Sequence, residues 1–351
     1  IAYVDEGGLL RVGPRSAGAK PGPACYRLGG LLPTVTDAAL VLGYIDPDYF
    51  LGGRMRLDVG AARAAIESVG APLGLSVEAA AYSIFAVSNE TMINAIKDIT
   101  VSEGIDPGEA VIVAGGGAAG FGILPIAREL RCRRVIVPRT ASVLSACGMQ
   151  FSDLQLECSA SMPTRSTSFD RARVNAALAG IDVELDAFAA RLAARGFGAR
   201  RTVYRVDAHY AAQVWDIGVD LPVPRFEQDA EVGALVDAFH ANHRRIFSVD
   251  DPASPIEFLN WTGRVSVSLP QQAAARADSG GTPTAPVGTR RALFDEHAVH
   301  DAAVYRGDRI RVGDEIPGPA IVEEATTTLV LPPGTRARLM PSGSYLVDID
   351  L

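Results

Sequence analysis

A β-branched run that breaks into glycine and then into a helical pattern constrains this chain more than any other stretch. Val111-Ile112-Val113-Ala114 reads as a strand, Gly115-Gly116-Gly117-Ala118-Ala119-Gly120 as a turn of nearly bare backbone, and Phe121 to Leu130 as an amphipathic helix. That order brings free amides and a helix N-terminus to one place, as in phosphate and nucleotide sites. It equally lets a helix pack tightly on a strand with no ligand involved. Gly115, Gly117 and Gly120 satisfy G-x-G-x-x-G, the dinucleotide fingerprint. A dinucleotide fold also needs an acidic residue about 20 positions on, at the end of the second strand. The next strand pattern, residues 134–138, instead runs into Arg139, which suits only the 2′-phosphate of an NADP-type ligand. The P-loop pattern G-x-x-x-x-G-K-[ST] is absent.

The bulk numbers narrow the classes. A length of 351 residues predicts two or three domains. With 33 basic against 41 acidic residues, a net charge of −8, the chain has no electrostatic footprint for nucleic acid or an anionic membrane surface. No apolar run approaches the roughly 20 residues of a membrane-spanning helix, and the first residues lack the basic and apolar regions of a secretory signal. The chain opens on Ile1, inside a strand pattern, so an N-terminal part is expected to precede it, either in the same subunit or on another chain. Cys25, Cys132, Cys147 and Cys158 have no CxxC spacing and read as reduced thiols of a cytoplasmic protein.

In chain order, residues 1–12 alternate around Glu6-Gly7-Gly8, a hairpin with a glycine turn. The segment Gly13-Pro14-Arg15-Ser16-Ala17-Gly18-Ala19-Lys20-Pro21-Gly22-Pro23-Ala24-Cys25-Tyr26 is too rich in Gly and Pro for helix or central strand, so it is a shaped loop. Arg15 and Lys20 are its candidate phosphate or substrate contacts. Asp37 either caps the helix of residues 38–42 or supplies a metal-binding or acid–base carboxylate. A long helix starts at the Ser76 cap; Asn89 and Asn94 interrupt its apolar spacing and face either solvent or a ligand. After the glycine loop and the strand of residues 134–138, Thr140 to Met149 is helical, making a βαβ-like unit. Helices are expected over 169–196 and 232–247 and a strand over 203–221. The 271–290 stretch, full of Ala, Gly, Thr, Pro and Ser, is a linker, and the tail is short β segments with turn signals. His240 and His243 share a helical face, either as part of a metal site or as surface residues.

Several of these stretches together resemble the hydantoinase A/5-oxoprolinase family. They are the loop of residues 13–26, Thr34-Val35-Thr36-Asp37-Ala38, Leu42-Gly43, Phe50-Leu51-Gly52-Gly53, Asn89-Glu90-Thr91-Met92-Ile93-Asn94-Ala95-Ile96, the glycine loop, and residues 134–139 running to 144–148. In the tail, Gly318-Pro319-Ala320-Ile321-Val322-Glu323-Glu324 and Thr326-Thr327-Thr328 look like the module shared with acetone and acetophenone carboxylases.

The resemblance implies an α/β chain. Residues 1–160 would be the distal part of an actin-like, ribonuclease-H-like ATPase domain. Residues 161–270 would form an α+β domain, 271–290 the linker, and 291–351 a small β-rich C-terminal module. It implies adenosine on Gly115, Gly116, Gly117, Ala118 and Gly120, with ATP and Mg²⁺ as cofactors and Asp37 at the cleft, either holding the metal or acting as the catalytic carboxylate. The phosphate-binding hairpins of such a domain are not in these residues, so this segment alone is expected to be inactive.

The implied activity is ATP-dependent opening of a cyclic amide through phosphorylation of its carbonyl; the alternative is ATP-dependent ketone carboxylation. The implied partners are a small carbonyl substrate and a second large subunit of hydantoinase B type in a hetero-oligomer. An NADP oxidoreductase and an inactive structural subunit are readings from other classes. Two departures stand out. The commoner family loop ends in histidine where this chain has Gly122, and His209, a candidate substrate contact or a plain strand residue, stands where arginine is usual.

Overall fold

The computed structural model describes residues 1–269, 284–295 and 298–351. The chain divides into two compact units: Ile1–Cys147 with Ala273–Leu351, and Gly148–Gln272. The first boundary therefore falls before residue 160, and the tail belongs to the first unit. Residues 271–283 of the expected linker lie outside the described residues; by Gly288 the chain is already in a strand.

The first unit opens with the expected hairpin, β1 (Ala2–Val4) antiparallel to β2 (Leu10–Val12). Asp5 shapes its turn by accepting from the amides of Gly7 and Leu9 at 3.0 and 2.9 Å. Three helices follow: α1 (Val35–Val41), α2 (Val59–Gly70) and α3 (Val77–Ser102). Each starts at a side-chain cap, Thr34, Asp58 and Ser76 respectively, which satisfies amides the helix itself leaves open. Their inner faces meet in a core containing Ala38, Ile66, Ile84 and Phe85. Then come β3 (Ile112–Val113), α4 (Ala119–Glu129), β4 (Arg134–Pro138) and α5 (Leu144–Met149).

The second unit is an antiparallel sheet with two helices. In chain order it holds β5 (Leu154–Arg165), α6 (Arg171–Ala193), β6 (Arg200–Tyr210), β7 (Ile217–Asp220), α7 (Asp229–Phe247) and β8 (Ile256–Val267), with sheet order β5-β8-β6-β7. Trp261, Phe258, Phe239 and Leu185 are buried in its core. The strand expected over 203–221 is two strands, because residues between Tyr210 and Ile217 leave the ladder.

The tail returns to the first unit as β9 (Gly288–Leu293), β10 (Val299–Arg306), β11 (Glu315–Pro317), β12 (Ala320–Glu323), β13 (Thr328–Leu331), β14 (Thr335–Leu339) and β15 (Ser344–Ile349). It does not stand apart as a C-terminal module. β15 runs antiparallel along all of β4, from Ser344 opposite Pro138 to Asp348 opposite Arg134, giving the sheet β11-β14-β15-β4-β3. The reason is burial. Val135 and Val137 are fully enclosed, and the two-stranded parallel pair β3–β4 is too small to bury them alone. A second sheet, β13-β12-β10-β9, supplies Val322, Leu329 and Leu331 to the same core as Leu124 of α4. Among the described helices, no single one is long and apolar enough to cross a membrane.

Candidate functional site

The glycine loop leaves β3 and enters α4 with its glycines serving two purposes. Gly116 has φ +119°, open to glycine and strained for other residues, and its amide donates to the Ala141 carbonyl at 2.7 Å. Gly120 is a packing residue. A Cβ there would sit 2.1 Å from the Thr328 carbonyl oxygen, so its absence lets α4 lie against β13. Gly115, Gly117 and Ala118 are exposed, and among the described residues their amides have no hydrogen-bond acceptor. Ala118 caps α4 without a side-chain hydrogen bond. The loop thus offers three unengaged amides beside the positive end of a helix dipole, the chemistry of an anion or nucleotide cradle.

The turn between β12 and β13 holds that loop in place. Thr327 Oγ1 donates to the Gly117 carbonyl at 2.9 Å, and the hydroxyls of Ser142 and Thr326 meet at 2.7 Å. The turn itself is pinned by charge. Arg139 pairs with Glu324 at 2.7 Å, and the Tyr345 hydroxyl donates to the same carboxylate at 2.5 Å. Burial pulls the Arg139 pKa down, but the Glu324 hydrogen bond and charge more than offset it, so the guanidinium is held above its ordinary value. Burial, and then the Glu324 charge, push the Tyr345 phenol up.

Next to this, Glu323, 2% exposed, pairs with Arg290 at 2.7 Å and with Arg306 at 2.6 Å. Asp46 joins both arginines at 3.2 and 3.6 Å, and Arg306 stacks over Tyr49 at 3.5 Å. Sequence reasoning noted Glu323 and Glu324 within a motif but not as a charge cluster, since their arginine partners lie far away in the chain. Arg139 is committed to Glu324, so the cation that the NADP reading required is already taken.

Asp37 has the geometry of a clamp. It is 0% exposed; Oδ1 accepts from the Cys25 amide at 2.8 Å. Oδ2 accepts from the amides of Ala24 and Thr34 at 3.2 and 3.0 Å and from the Thr34 hydroxyl at 2.7 Å. Thr34 returns the bond to the Asp37 amide, completing a capping box. The helix starts earlier than the sequence suggests, with Thr34 as its N-cap and Asp37 at the third helical position of the capping box, and the same carboxylate ties down the glycine–proline loop. Among the described residues no three His, Cys, Asp or Glu side chains converge as a metal cage.

The other candidates are scattered. Arg15 and Lys20 are exposed on the first loop; Arg15 edges a recess with Ser88, Thr91 and Met92 of α3. Asn89, on the same helix, is 7% exposed and lines a different recess with Tyr44, Phe121 and Phe294. His209 lies in the second unit, with Nδ1 2.8 Å from the Tyr210 carbonyl and Nε2 3.8 Å from both Asp216 and Glu257. His240 Nδ1 meets the Tyr210 hydroxyl at 2.7 Å. His243, 2% exposed, is held by the Val249 carbonyl at 2.6 Å and Gln213 at 3.2 Å. His243 is buried and His240 half-buried against Tyr210, so the two are not a surface pair.

The Hydantoinase/oxoprolinase family profile matches residues 1–158, and that of the Hydantoinase/oxoprolinase C-terminal domain matches residues 170–341. The chain belongs to the hydantoinase/oxoprolinase family. It is similar to the caprolactamase subunit alpha of Pseudomonas jessenii, 38% identical over 98% of this chain and 50% of that one. The acetophenone carboxylase gamma subunit of Aromatoleum aromaticum is 32% identical over 99% of this chain and 49% of its own. The crystal structure of the ATP-dependent caprolactamase from Pseudomonas jessenii superposes with a TM-score of 0.84 at 37% identity, covering 100% of this chain and 52% of that one. The chain spans about half the length of the curated relatives it matches. Its mixed α/β fold with several sheets is that of the caprolactamase chain over the shared half.

Proposed function

We propose that this chain is the distal half of an ATP-binding subunit in an enzyme that opens cyclic amides at the expense of ATP. The observation that carries the reading is the likeness to the caprolactamase subunit along the whole chain, in sequence and in fold. In this reading the half belongs to an actin-like ATPase domain, and the exposed amides of Gly115, Gly117 and Ala118 receive the nucleoside side of ATP. Transfer of the γ-phosphoryl group to the ring carbonyl oxygen, with ADP leaving and the ring N–H giving up its proton, yields an imidate phosphate. Water then adds at its carbon, the ring C–N bond breaks, and a further water releases inorganic phosphate to give the amino acid, a reaction governed by positioning and charge. The described residues supply no carboxylate cage for Mg²⁺. We therefore assign its ligands to ATP and to parts of the subunit beyond this segment, and route no step through Asp37. A second large subunit completes the assembly, as the subunit names of the relatives suggest.

The likeness to the acetophenone carboxylase subunit favours one other reading, ATP-dependent carboxylation of a ketone. ADP release by the assembled enzyme separates the two. Release stimulated by a lactam or hydantoin supports cyclic-amide opening. Release that needs a ketone and bicarbonate, with none for any cyclic amide, overturns it.

A further inference from the structure

One polar side chain in the first unit is buried without a partner. Asn89 is 7% exposed, and among the described residues its carboxamide makes no hydrogen bond. Its polar atoms are not sealed from solvent, so the carboxamide is open to a partner in the space beside it. It sits in a recess of about 200 Å³ lined by Tyr44, Phe85, Phe121 and Phe294, with Glu90 and Glu129 at its edge. The walls are rigid: Tyr44 packs edge-on to Phe85 at 5.4 Å and stacks with Phe294 at 5.9 Å, and its hydroxyl is anchored on the Leu293 carbonyl at 2.5 Å. Glycine at 122 lets the amide approach, since a Cβ there would lie 2.5 Å from Asn89 Oδ1. Pro125 also lines the recess and has no N–H for the Phe121 carbonyl one turn earlier.

We propose that this recess binds the amide edge of a small, uncharged lactam, with Asn89 as the recognising residue. The assignment deepens the cyclic-amide reading above and rests on it for the identity of the ligand. A carboxamide offers one donor and one acceptor side by side. Its complement must present N–H and C=O on the same edge, which is the cis amide. Open-chain secondary amides strongly prefer trans, whereas a small ring enforces cis.

The aromatic walls cover the ring methylenes. The volume lies below the roughly 300–1,000 Å³ of pockets for drug-sized ligands, so the ring is small. Glu129 has a partner in Lys97 at 3.8 Å, while among the described residues Glu90 is matched only by the neutral Asn94 amide at 3.4 Å. That leaves the edge net negative and sets it against a ring bearing a carboxylate.

The test titrates δ-valerolactam into the intact enzyme complex and follows both binding and lactam-stimulated ADP release. The site predicts that N-methyl-δ-valerolactam, which lacks the N–H, and 5-oxoproline, which carries a carboxylate, each bind at least tenfold more weakly. Asn89→Leu should raise KM for the lactam at least tenfold with little change in kcat and with no loss of melting temperature, because the amide it removes makes no hydrogen bond to the described residues. Gly122→Ala, which crowds the carboxamide, should raise KM in the same direction. Lactam-stimulated ADP release with an unchanged KM in both variants overturns the recess while leaving the cyclic-amide function standing. Binding of the lactam that Asn89→Leu weakens, without any stimulated ADP release, keeps the recess and overturns the function. Equal binding of the N-methyl probe overturns the amide-edge pairing by itself, and a lower melting temperature in Asn89→Leu overturns Asn89's ligand role in favour of a structural one.

Discussion

The loops of residues 13–26 and 115–120 are both dense in glycine, yet their backbones are used in opposite ways. In the first, the amides of Ala24 and Cys25 are spent on the buried Asp37 carboxylate, and Gly13, Gly18 and Gly22 donate to Ile1, Ser16 and Ala17. In the second, one amide is tied to Ala141, and those of Gly115, Gly117 and Ala118, all exposed residues, are unengaged among the described residues. Glycine content is thus a poor guide to ligand binding; what separates the loops is whether a carboxylate inside the protein already occupies the amides. Asp37 closes one loop by satisfying it, while the β12–β13 turn supports the other from its carbonyl side and leaves its donors free.

Removing the clamp should have the largest effect. Asp37→Ala leaves the enclosed amides of Ala24, Cys25 and Thr34 without an acceptor, at a cost of about 1–3 kcal/mol for each donor left unsatisfied. Chemical denaturation of the chain measures it. If the variant unfolds like the parent but the assembled enzyme loses turnover, the carboxylate works in chemistry and the contrast between the loops collapses.

Within the second loop, Gly120→Ala drives a methyl to 2.1 Å from the Thr328 carbonyl oxygen and should cost about 1–3 kcal/mol by overpacking. Gly117→Ala has only ordinary contacts, the nearest 3.5 Å from Thr326, and as an exposed change should stay within about 0.5 kcal/mol of the parent. Nucleotide titration of the assembled enzyme should nonetheless show about tenfold weaker ATP binding, or ~1.4 kcal/mol, because the methyl adds bulk at an exposed residue whose amide is one of the three unengaged donors. Unchanged affinity would move the nucleotide away from these amides.

Local rules recovered most of the elements. The Ser76 cap, the glycine turn after Asp5 and the strand–turn–helix of residues 111–130 all follow from residue type and spacing, and the family followed from the order of motifs. The tail's place did not, because pairing β15 with β4 is a contact across some 200 residues that no local period encodes. The same holds for the site. Arg139 looked free in the sequence and is held by Glu324; Asp37 looked available and is saturated. Asn89 was visible as a polar break in an apolar helix, but its enclosure by Tyr44 and Phe294 required the fold.

The clamp also governs Cys25. Burial raises its thiol well above the ordinary range, and the neighbouring Asp37 charge adds to the shift; the side chain is 0% exposed. Cys147 is a free thiol at an intermediate position. Alkylation followed by mass spectrometry should therefore mark Cys147 while sparing Cys25 in the native chain, and Asp37→Ala should bring Cys25 labelling up several-fold by loosening its loop. Fast Cys25 labelling in the parent would mean that the first loop opens as freely as the second.

A carboxylate in the hairpin turn ahead of that loop gives the smallest effect and the cleanest contrast with Asp37. The Arg11 hydrogen bond, followed by the amide of Leu9, holds the Asp5 carboxyl below its ordinary value. A depressed carboxyl contributes stability that is complete above the unfolded value, about 3.9, and is lost as pH falls through the lower folded value. The pair is open to solvent, so salt weakens it. Protection of the Leu9 and Gly7 amides from hydrogen exchange should fall only below the usual carboxylate range, and Asp5→Asn should flatten that dependence without disturbing Ala24 or Cys25. If acid released the amides of both loops together, the hairpin and the clamp would be one cooperative structure, and Asp37 would not be holding the first loop on its own.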